Sequence, residues 1–118
     1  MKQYILVRTD KEFSRGKLMT HAAHASNIAN EDCRQNHKER WEDWFLNLKM
    51  TKIVLAVNNE ECLKKHHDLC VDLEIPVGMI PDAGYYETEA GTLICCAIGP
   101  ITDEEYKLLK LKKWKLFR

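Results

Sequence analysis

An apolar run that leads directly into an amphipathic helical segment opens the chain, and this pairing constrains the fold more than any other feature. Tyr4 to Thr9 is rich in strand-forming residues and predicts a β-strand. Asp10 to Ser14 is a polar loop, and a helix is predicted from Gly16 to Ala29. A strand, a loop and a helix make the first part of a βαβ unit, so we expect an α/β fold.

Two neighbouring faces of this first helix differ in character. Positions three, four or seven residues apart on a helix share a face. One face carries titratable side chains, namely Lys17, His21 and His24. The next face is small and apolar, with Leu18, Ala22, Ala25 and Ala29. We expect the small face to lie close on a sheet while the other presents its cationic groups.

The rest of the chain continues the alternation of strands and helices. An amphipathic helix is predicted around Trp41 to Leu48, and a third helix between Asn59 and Pro76. Further strands are predicted at 52–57, 77–80 and 92–98, and a last helix begins after Thr102. The chain of 118 residues has the size of a single domain, residues 1–118.

The connections predict how the strands run. Helical crossovers join the first three strands, so these three are expected to be parallel. The link from the third strand to the fourth is too short for a crossover of a dozen residues, so the fourth should be antiparallel. We therefore predict a three-layer α/β/α fold with a four-stranded mixed sheet whose last strand is antiparallel.

The sequence favours a cytoplasmic protein without metal or disulfides. No apolar run approaches the ~18 residues of a membrane span, and no signal peptide opens the chain. Five cysteines are an odd number, which argues against a disulfide framework. Cys62, His66 and Cys70 share a stripe of the third helix, but the stripe overlaps the apolar face, so buried side chains are favoured over a metal site.

The net charge is zero, but cations concentrate near the end of the chain. No acid lies among the C-terminal cluster of Lys107, Lys110, Lys112, Lys113, Lys115 and Arg118. Such a cluster can steer a nucleic acid, or it can be a solvated basic tail. The charge pattern alone favours the tail.

The predicted topology brings three polar residues to one edge of the sheet. Lys17 begins the helix after the first strand, Asp82 follows the third strand, and Thr92 opens the reversed fourth strand. All three positions fall at the carboxyl edge of the parallel strands, where open α/β sheets bind ligands. His24 lies about 10 Å further along the helix than Lys17.

Six sequence segments together resemble the type-II peptidyl-tRNA hydrolases. They are Arg15-Gly16-Lys17, Ala23-His24-Ala25, Lys52-Ile53-Val54, Asp82-Ala83-Gly84, Gly91-Thr92 and Ala97-Ile98-Gly99-Pro100. Their order and spacing agree from Tyr4 to about Tyr106. The resemblance implies a four-stranded mixed sheet, hydrolysis of the ester between a peptide and the 3′ end of tRNA without a metal or cofactor, and a homodimer.

The resemblance also implies site residues. Lys17, His24, Asp82 and Thr92 match positions that the family holds at or beside its active site. This chain departs from the pattern at His21, where relatives usually have glutamine. It departs again at Tyr85-Tyr86, where they have a basic residue and then threonine, and at Ala90, where they have proline.

Ester hydrolysis gives each of these residues an expected role. Asp82 would orient or deprotonate water, Lys17 would hold a phosphate or the oxyanion, and Thr92 would align the water. Taken singly, the three are equally compatible with a turn aspartate, a solvated lysine and a strand threonine.

The remaining candidates are expected to meet the tRNA or to assist the chemistry. His21 would bond the tRNA end or act as a base, or it is a partly exposed helix residue. Tyr85 and Tyr86 would stack on the terminal adenine, or they cover the sheet edge. The residues expected to bind tRNA are Lys11, Arg15, Lys17, Tyr85 and Tyr86. The sequence thus predicts a peptidyl-tRNA hydrolase, with a non-catalytic tRNA-, RNA- or protein-binding member of the same fold as the alternative.

Overall fold

A computed structural model describes all residues, 1–118, as an α/β fold with one mixed sheet. The strands are β1 (Lys2–Arg8), β2 (Lys52–Val57), β3 (Val77–Gly78), β4 (Cys95–Ile101) and β5 (Lys115–Leu116). The α-helices are α1 (Arg15–Asn36), α2 (Lys38–Glu42), α3 (Glu60–Asp72) and α4 (Asp103–Leu108). A π-helical turn, Asp43–Asn47, follows α2, and a 3-10 turn, Leu111–Lys113, precedes β5.

The sheet has the strand order β3-β4-β1-β2-β5. β1 pairs in parallel with β2, whereas β4 runs antiparallel to both β1 and β3. The first three strands therefore run the same way and the fourth is reversed, which confirms the predicted directions. Because β1 and β3 run the same way, the start of α1, which follows β1, and the end of β3 lie at the same edge of the sheet.

The predicted number of strands was wrong, because the sheet has five and not four. β5 pairs antiparallel with β2, with Leu116 opposite Leu55 and Lys115 opposite Ala56. The basic C-terminal segment is therefore folded onto the sheet rather than forming a solvated tail. The strand has no apolar pattern of its own, since Lys115 and Leu116 are both exposed and the contacts with the core come from Trp114 and Phe117 on either side of them.

Apolar side chains cover both faces of the sheet. Successive residues of β1 point to opposite sides, so Ile5 and Val7 pack towards α1 while Tyr4 and Leu6 pack on the other face. The core on the α1 side is small and includes Ala25 and Ala29. On the opposite side α3 and the C-terminal segment cover a larger core that contains Leu63, Cys70, Leu109 and Leu111.

Gly78 lets α1 lie directly against β3. A Cβ atom at this position would lie 2.4 Å from the Ala25 carbonyl oxygen and 2.5 Å from the Ala29 backbone nitrogen. No side chain other than hydrogen fits between these backbones without movement. The contact fixes the height of α1 above the strand that leads to Asp82.

Several helix boundaries differ from the predicted ones. α1 continues to Asn36 instead of ending near Ala29, because Cys33 is buried and carries the apolar face further. The segment around Trp41 to Leu48 is a short α-helix followed by a π-helical turn rather than one amphipathic helix. Trp44 is buried there, and its indole N–H donates to the Thr51 carbonyl at 2.9 Å.

The five cysteines are all free thiols. Four are buried (Cys33, Cys70, Cys95 and Cys96), and Cys62 is half-buried. Burial raises the pKa of Cys33 to about 11 and the pKa of both Cys70 and Cys95 to about 12. On α3, His66 bonds to the Cys62 carbonyl through Nδ1 at 2.7 Å and faces the Trp114 indole through Nε2 at 3.5 Å.

No helix combines the length and the apolar character that crossing a membrane requires.

Candidate active site

The candidate site lies where the start of α1 meets the segment that follows β3. Ser14 caps the helix, and its hydroxyl accepts from the Lys17 backbone N–H at 3.2 Å. Lys17 and His21, one turn apart, then reach the same oxygen of Asp82. The distances are 3.0 Å from Lys17 Nζ and 2.7 Å from His21 Nε2 to Asp82 Oδ1. Helical spacing thus places two nitrogen groups on one carboxylate.

The second carboxylate oxygen of Asp82 is bonded by its own loop. The Gly84 backbone N–H donates to Oδ2 at 2.8 Å, and the Thr88 hydroxyl donates to the same oxygen at 2.5 Å. Asp82 is 6% exposed, so these four donors replace most of its hydration. The Thr88 hydroxyl, followed by Lys17 and His21, holds the pKa of Asp82 well below its usual range. Asp82 is therefore an anion at neutral pH.

Two glycines shape the loop from Asp82 to Gly91. Gly84 and Gly91 both have positive φ, +82° and +91°, a region that favours glycine. The loop closes at its base because the Asp82 N–H donates to the Thr92 carbonyl at 2.7 Å and the Gly91 N–H donates to the Asp82 carbonyl at 2.9 Å. The tight return brings Thr88 back over Asp82.

A cavity of about 480 Å³ opens beside these groups, between α1 and the loop. Lys17, His21 and Asp82 line its floor, and Tyr85 and Tyr86 line its rim. The two tyrosines are 83% and 87% exposed, and the Lys17 ammonium lies 5.7 Å from the Tyr86 ring centre. The cavity therefore joins a charged floor to flat aromatic surfaces that can contact a nucleobase.

His24 lines the same cavity but is exposed. Its ring stands edge-on to the His21 ring, with 5.7 Å between the ring centres. Neither ring nitrogen of His24 is held by a protein hydrogen bond. His24 is thus near the site without being fixed in one orientation.

Three other predicted site residues lie outside this contact network. Thr92 meets Asp82 only through its backbone, since its hydroxyl donates to the Glu89 carbonyl at 2.8 Å. Lys11 and Arg15 are exposed at the entry to α1 and make no side-chain contact with Asp82. The structure therefore brings Lys17, His21 and Asp82 together and leaves these three at the periphery.

Sequence reasoning missed the two donors to Asp82 Oδ2 and also missed Arg8. Arg8 is buried at the end of β1, where it donates to Asp10, to Glu60 and to the Leu93 carbonyl. The arginine joins the ends of three segments at the carboxyl edge. The glycines that bound the 82–91 loop were the only sign that a later hydroxyl returns to the aspartate.

The arrangement suits hydrolysis of an ester at a charged substrate. A fixed ammonium can stabilise an oxyanion or a phosphate, and a buried anion can orient a neighbouring proton acceptor. No group of three or more His, Cys, Asp or Glu side chains is arranged to hold a metal ion.

The chain is similar in sequence to known proteins. The family model described as "Peptidyl-tRNA hydrolase PTH2" matches residues 1–116. A peptidyl-tRNA hydrolase of Sulfolobus acidocaldarius is 34% identical over 108 residues, which cover 88% of this chain and 90% of the relative. Proteins with the same name from Haloquadratum walsbyi and Methanopyrus kandleri are each 38% identical over 104 residues. Those residues cover 88% of this chain and 89% and 88% of the two relatives. The similarity spans both sides of the cavity.

Proposed function

The chain belongs to the peptidyl-tRNA hydrolase PTH2 family, and from this premise we propose how and where it cleaves its substrate. It is an ester hydrolase that releases the peptide from the 3′ end of peptidyl-tRNA. In our proposal, water attacks the ester carbonyl directly in the cavity between α1 and the 82–91 loop.

The contact between Lys17 and Asp82 carries this proposal. Their side chains are 10% and 6% exposed and come from two separate elements, α1 and the segment after β3, yet they meet at 3.0 Å. A lysine ammonium has three donor hydrogens, so Lys17 can hold Asp82 and still donate to a substrate oxygen. We assign Lys17 to the carbonyl oxygen that becomes negative, or to the terminal phosphate.

The other site residues take supporting roles in this proposal. Asp82 stays ionised and orients its donors, and His21 and His24 present imidazoles to the cavity. Thr92 would align water only if its hydroxyl left the Glu89 carbonyl, to which it now donates.

The outer surface of the site fits the end of a tRNA. Tyr85 and Tyr86 offer exposed rings on which the terminal adenine can stack, worth about 1–3 kcal/mol per base. Lys11, Arg15 and Lys17 would contact phosphates beside them. We extend the proposal to a cytoplasmic location and to a homodimer, the latter implied by the family resemblance. Light scattering after size-exclusion chromatography tests the dimer.

The decisive experiment follows release of the amino acid from an N-blocked aminoacyl-tRNA. We expect hydrolysis by the wild-type protein and a fall in kcat/KM of about 10²–10³-fold for Lys17→Ala and for Asp82→Ala. Lys64→Ala is the matched control, because Lys64 also pairs with a carboxylate, Glu60 at 3.4 Å, but lies exposed on α3.

Two results would refute the proposal in different ways. Full activity of both site variants would show that the cavity is not the active site. Folded wild-type protein that binds tRNA in a salt-dependent manner but releases nothing would select the non-catalytic alternative.

A further inference from the structure

We propose that His21 is the base that takes the proton from the attacking water, and that Asp82 acts through His21 as a positioning residue. This inference rests on the proposed hydrolysis and assigns its proton acceptor. It follows from the hydrogen bonds of the two side chains.

Asp82 has no free position for a proton from water. A carboxylate offers about four lone-pair sites, and four donors occupy them: Lys17, His21, Gly84 and Thr88. Protonating Asp82 would disrupt at least one of these bonds. The carboxylate is therefore built to remain an anion.

His21 has one ring nitrogen bound and one free. Nε2 lies 2.7 Å from Asp82 Oδ1, so it carries the hydrogen that the carboxylate accepts. Nδ1 has no hydrogen-bond partner. Every fully buried side-chain nitrogen or oxygen in the protein does have a hydrogen-bond partner. Nδ1 is therefore accessible to solvent, and His21 lines the cavity. An imidazole held by a carboxylate on one nitrogen, with a lone pair open on the other, is arranged as a general base.

The other titratable groups facing His21 are less suited to the role. They are Lys17, His24, Asp82, Tyr85, Tyr86 and Glu87. Lys17 donates to Asp82 Oδ1, and Tyr85 and Tyr86 are largely exposed at the rim of the cavity, so none of the three is fixed as a proton acceptor. Glu87 accepts from the Ser14 backbone N–H at 2.8 Å. His24 is exposed and no bond orients its ring, whereas His21 is only 5% exposed and is fixed by Asp82.

The chemistry of the side chain at position 21 agrees with this assignment. A glutamine amide there could donate to Asp82 but has no nitrogen that accepts a proton. The imidazole of His21 makes the same kind of contact and keeps a second nitrogen that can take a proton.

The step balances as a simple hydrolysis. His21 Nδ1 takes a proton from water as the water oxygen bonds to the ester carbonyl carbon, and Lys17 donates to the resulting oxyanion. The bond from that carbon to the ribose 3′ oxygen then breaks, and the leaving oxygen takes the proton back from Nδ1. The products are a peptide carboxylic acid, which ionises to the carboxylate, and tRNA with a free 3′ hydroxyl.

The test compares wild-type protein with His21→Gln across a pH series. We expect kcat of His21→Gln to fall by about 10²–10⁴-fold at neutral pH, while KM and tRNA affinity stay unchanged. If His21 accepts the proton, the kcat of wild type should fall on the acid side, and this fall should be absent from the variant's residual activity. His67→Gln is the matched control, since His67 lies on α3 and bonds only to Asp68. Its rate and pH profile should equal those of wild type.

A second variant separates chemistry from folding. His21→Ala leaves space beside Asp82, and added imidazole should restore part of kcat if a proton acceptor is what the variant lacks. A circular dichroism spectrum equal to wild type shows that each variant is folded.

Two results would overturn the assignment. One is an unchanged kcat in His21→Gln. The other is a residual activity that keeps the wild-type acid limb and does not respond to imidazole in His21→Ala. In either case Lys17→Ala would still be impaired if the proposed hydrolysis holds, so failure of the base assignment is distinct from failure of the function.

Discussion

Replacing Gly78 by alanine tests whether close packing of α1 on β3 sets the geometry of the site. An alanine Cβ would lie 2.4 Å from the Ala25 carbonyl oxygen, 2.5 Å from the Ala29 nitrogen and 2.8 Å from the Ile28 Cβ. Ordinary contacts begin at 3.4 Å, so α1 must withdraw by about 1 Å where it crosses the strand. The two nearest of these atoms belong to the backbone of α1, which cannot turn aside as a flexible side chain can.

The cost follows from this displacement. Overpacking of this kind costs about 1–3 kcal/mol, and in a domain of this size that lowers Tm by roughly 4–12 °C. The same movement carries Lys17 and His21 away from Asp82. Since the His21 contact is 2.7 Å, a withdrawal of about 1 Å would break it. Misplacement by about 1 Å can reduce the rate about 10²-fold.

Thermal unfolding and hydrolysis of N-blocked aminoacyl-tRNA measure both consequences. Gly16→Ala is the control for stability, because an added Cβ there meets nothing within 4 Å and its φ is not positive. Alanine favours a helix over glycine by about 1 kcal/mol, so the control should keep or raise Tm. If Gly78→Ala left Tm and kcat at wild-type values, the packing of α1 on β3 would not determine the site as argued here.

Four further changes probe other parts of the molecule. In Asp82→Asn the free energy of unfolding should fall less steeply as the pH is lowered. Denaturant titrations at a series of pH values measure this dependence. The depressed pKa of Asp82 means that its stabilising contribution is present above its unfolded-state pKa near 3.9 and is lost as pH falls below it. Thr88→Val removes the hydroxyl donor to Asp82 and should lower kcat by about 10-fold. Thr88→Ser keeps a hydroxyl and should have the kcat of wild type, and an equal loss in both variants would show that the hydroxyl is not what matters. Tyr86→Ala should raise KM for tRNA substrates about 10-fold with little change in kcat, if the ring stacks on the terminal base. Phe117→Ala should cost about 1–2 kcal/mol in unfolding experiments by detaching β5 from the core, whereas Leu116→Ala, at an exposed position, should not.

Strand directions could be predicted from the sequence because they depend on connection length alone. The fifth strand could not, because two exposed residues give no apolar signal. Its pairing with β2 depends on a turn at Lys110, which adopts positive φ, and on Phe117 packing across the sheet. Both depend on the surrounding fold rather than on local preference.

The candidate site, like the fold, could be predicted only in part from the sequence. Lys17 and Asp82 were expected at one edge because topology places the ends of parallel strands together, and they lie in contact. The Thr88 bond was not foreseeable, since a threonine six positions after Asp82 reaches it only when two glycines turn the loop back. Helical spacing places Lys17 and His21 on one face, but only the position of β3 decides that both meet the same oxygen.

The reactivity of the free thiols can be used to detect unfolding of the protein. Reagents that modify cysteine act on the ionised thiolate, and the buried sulfur atoms are both inaccessible and reluctant to ionise. In the native state only Cys62 should react at an appreciable rate. The remaining four should be modified together once the chain unfolds. Counting the modified sulfurs by mass spectrometry therefore distinguishes folded molecules, labelled only at Cys62, from unfolded molecules in a single sample.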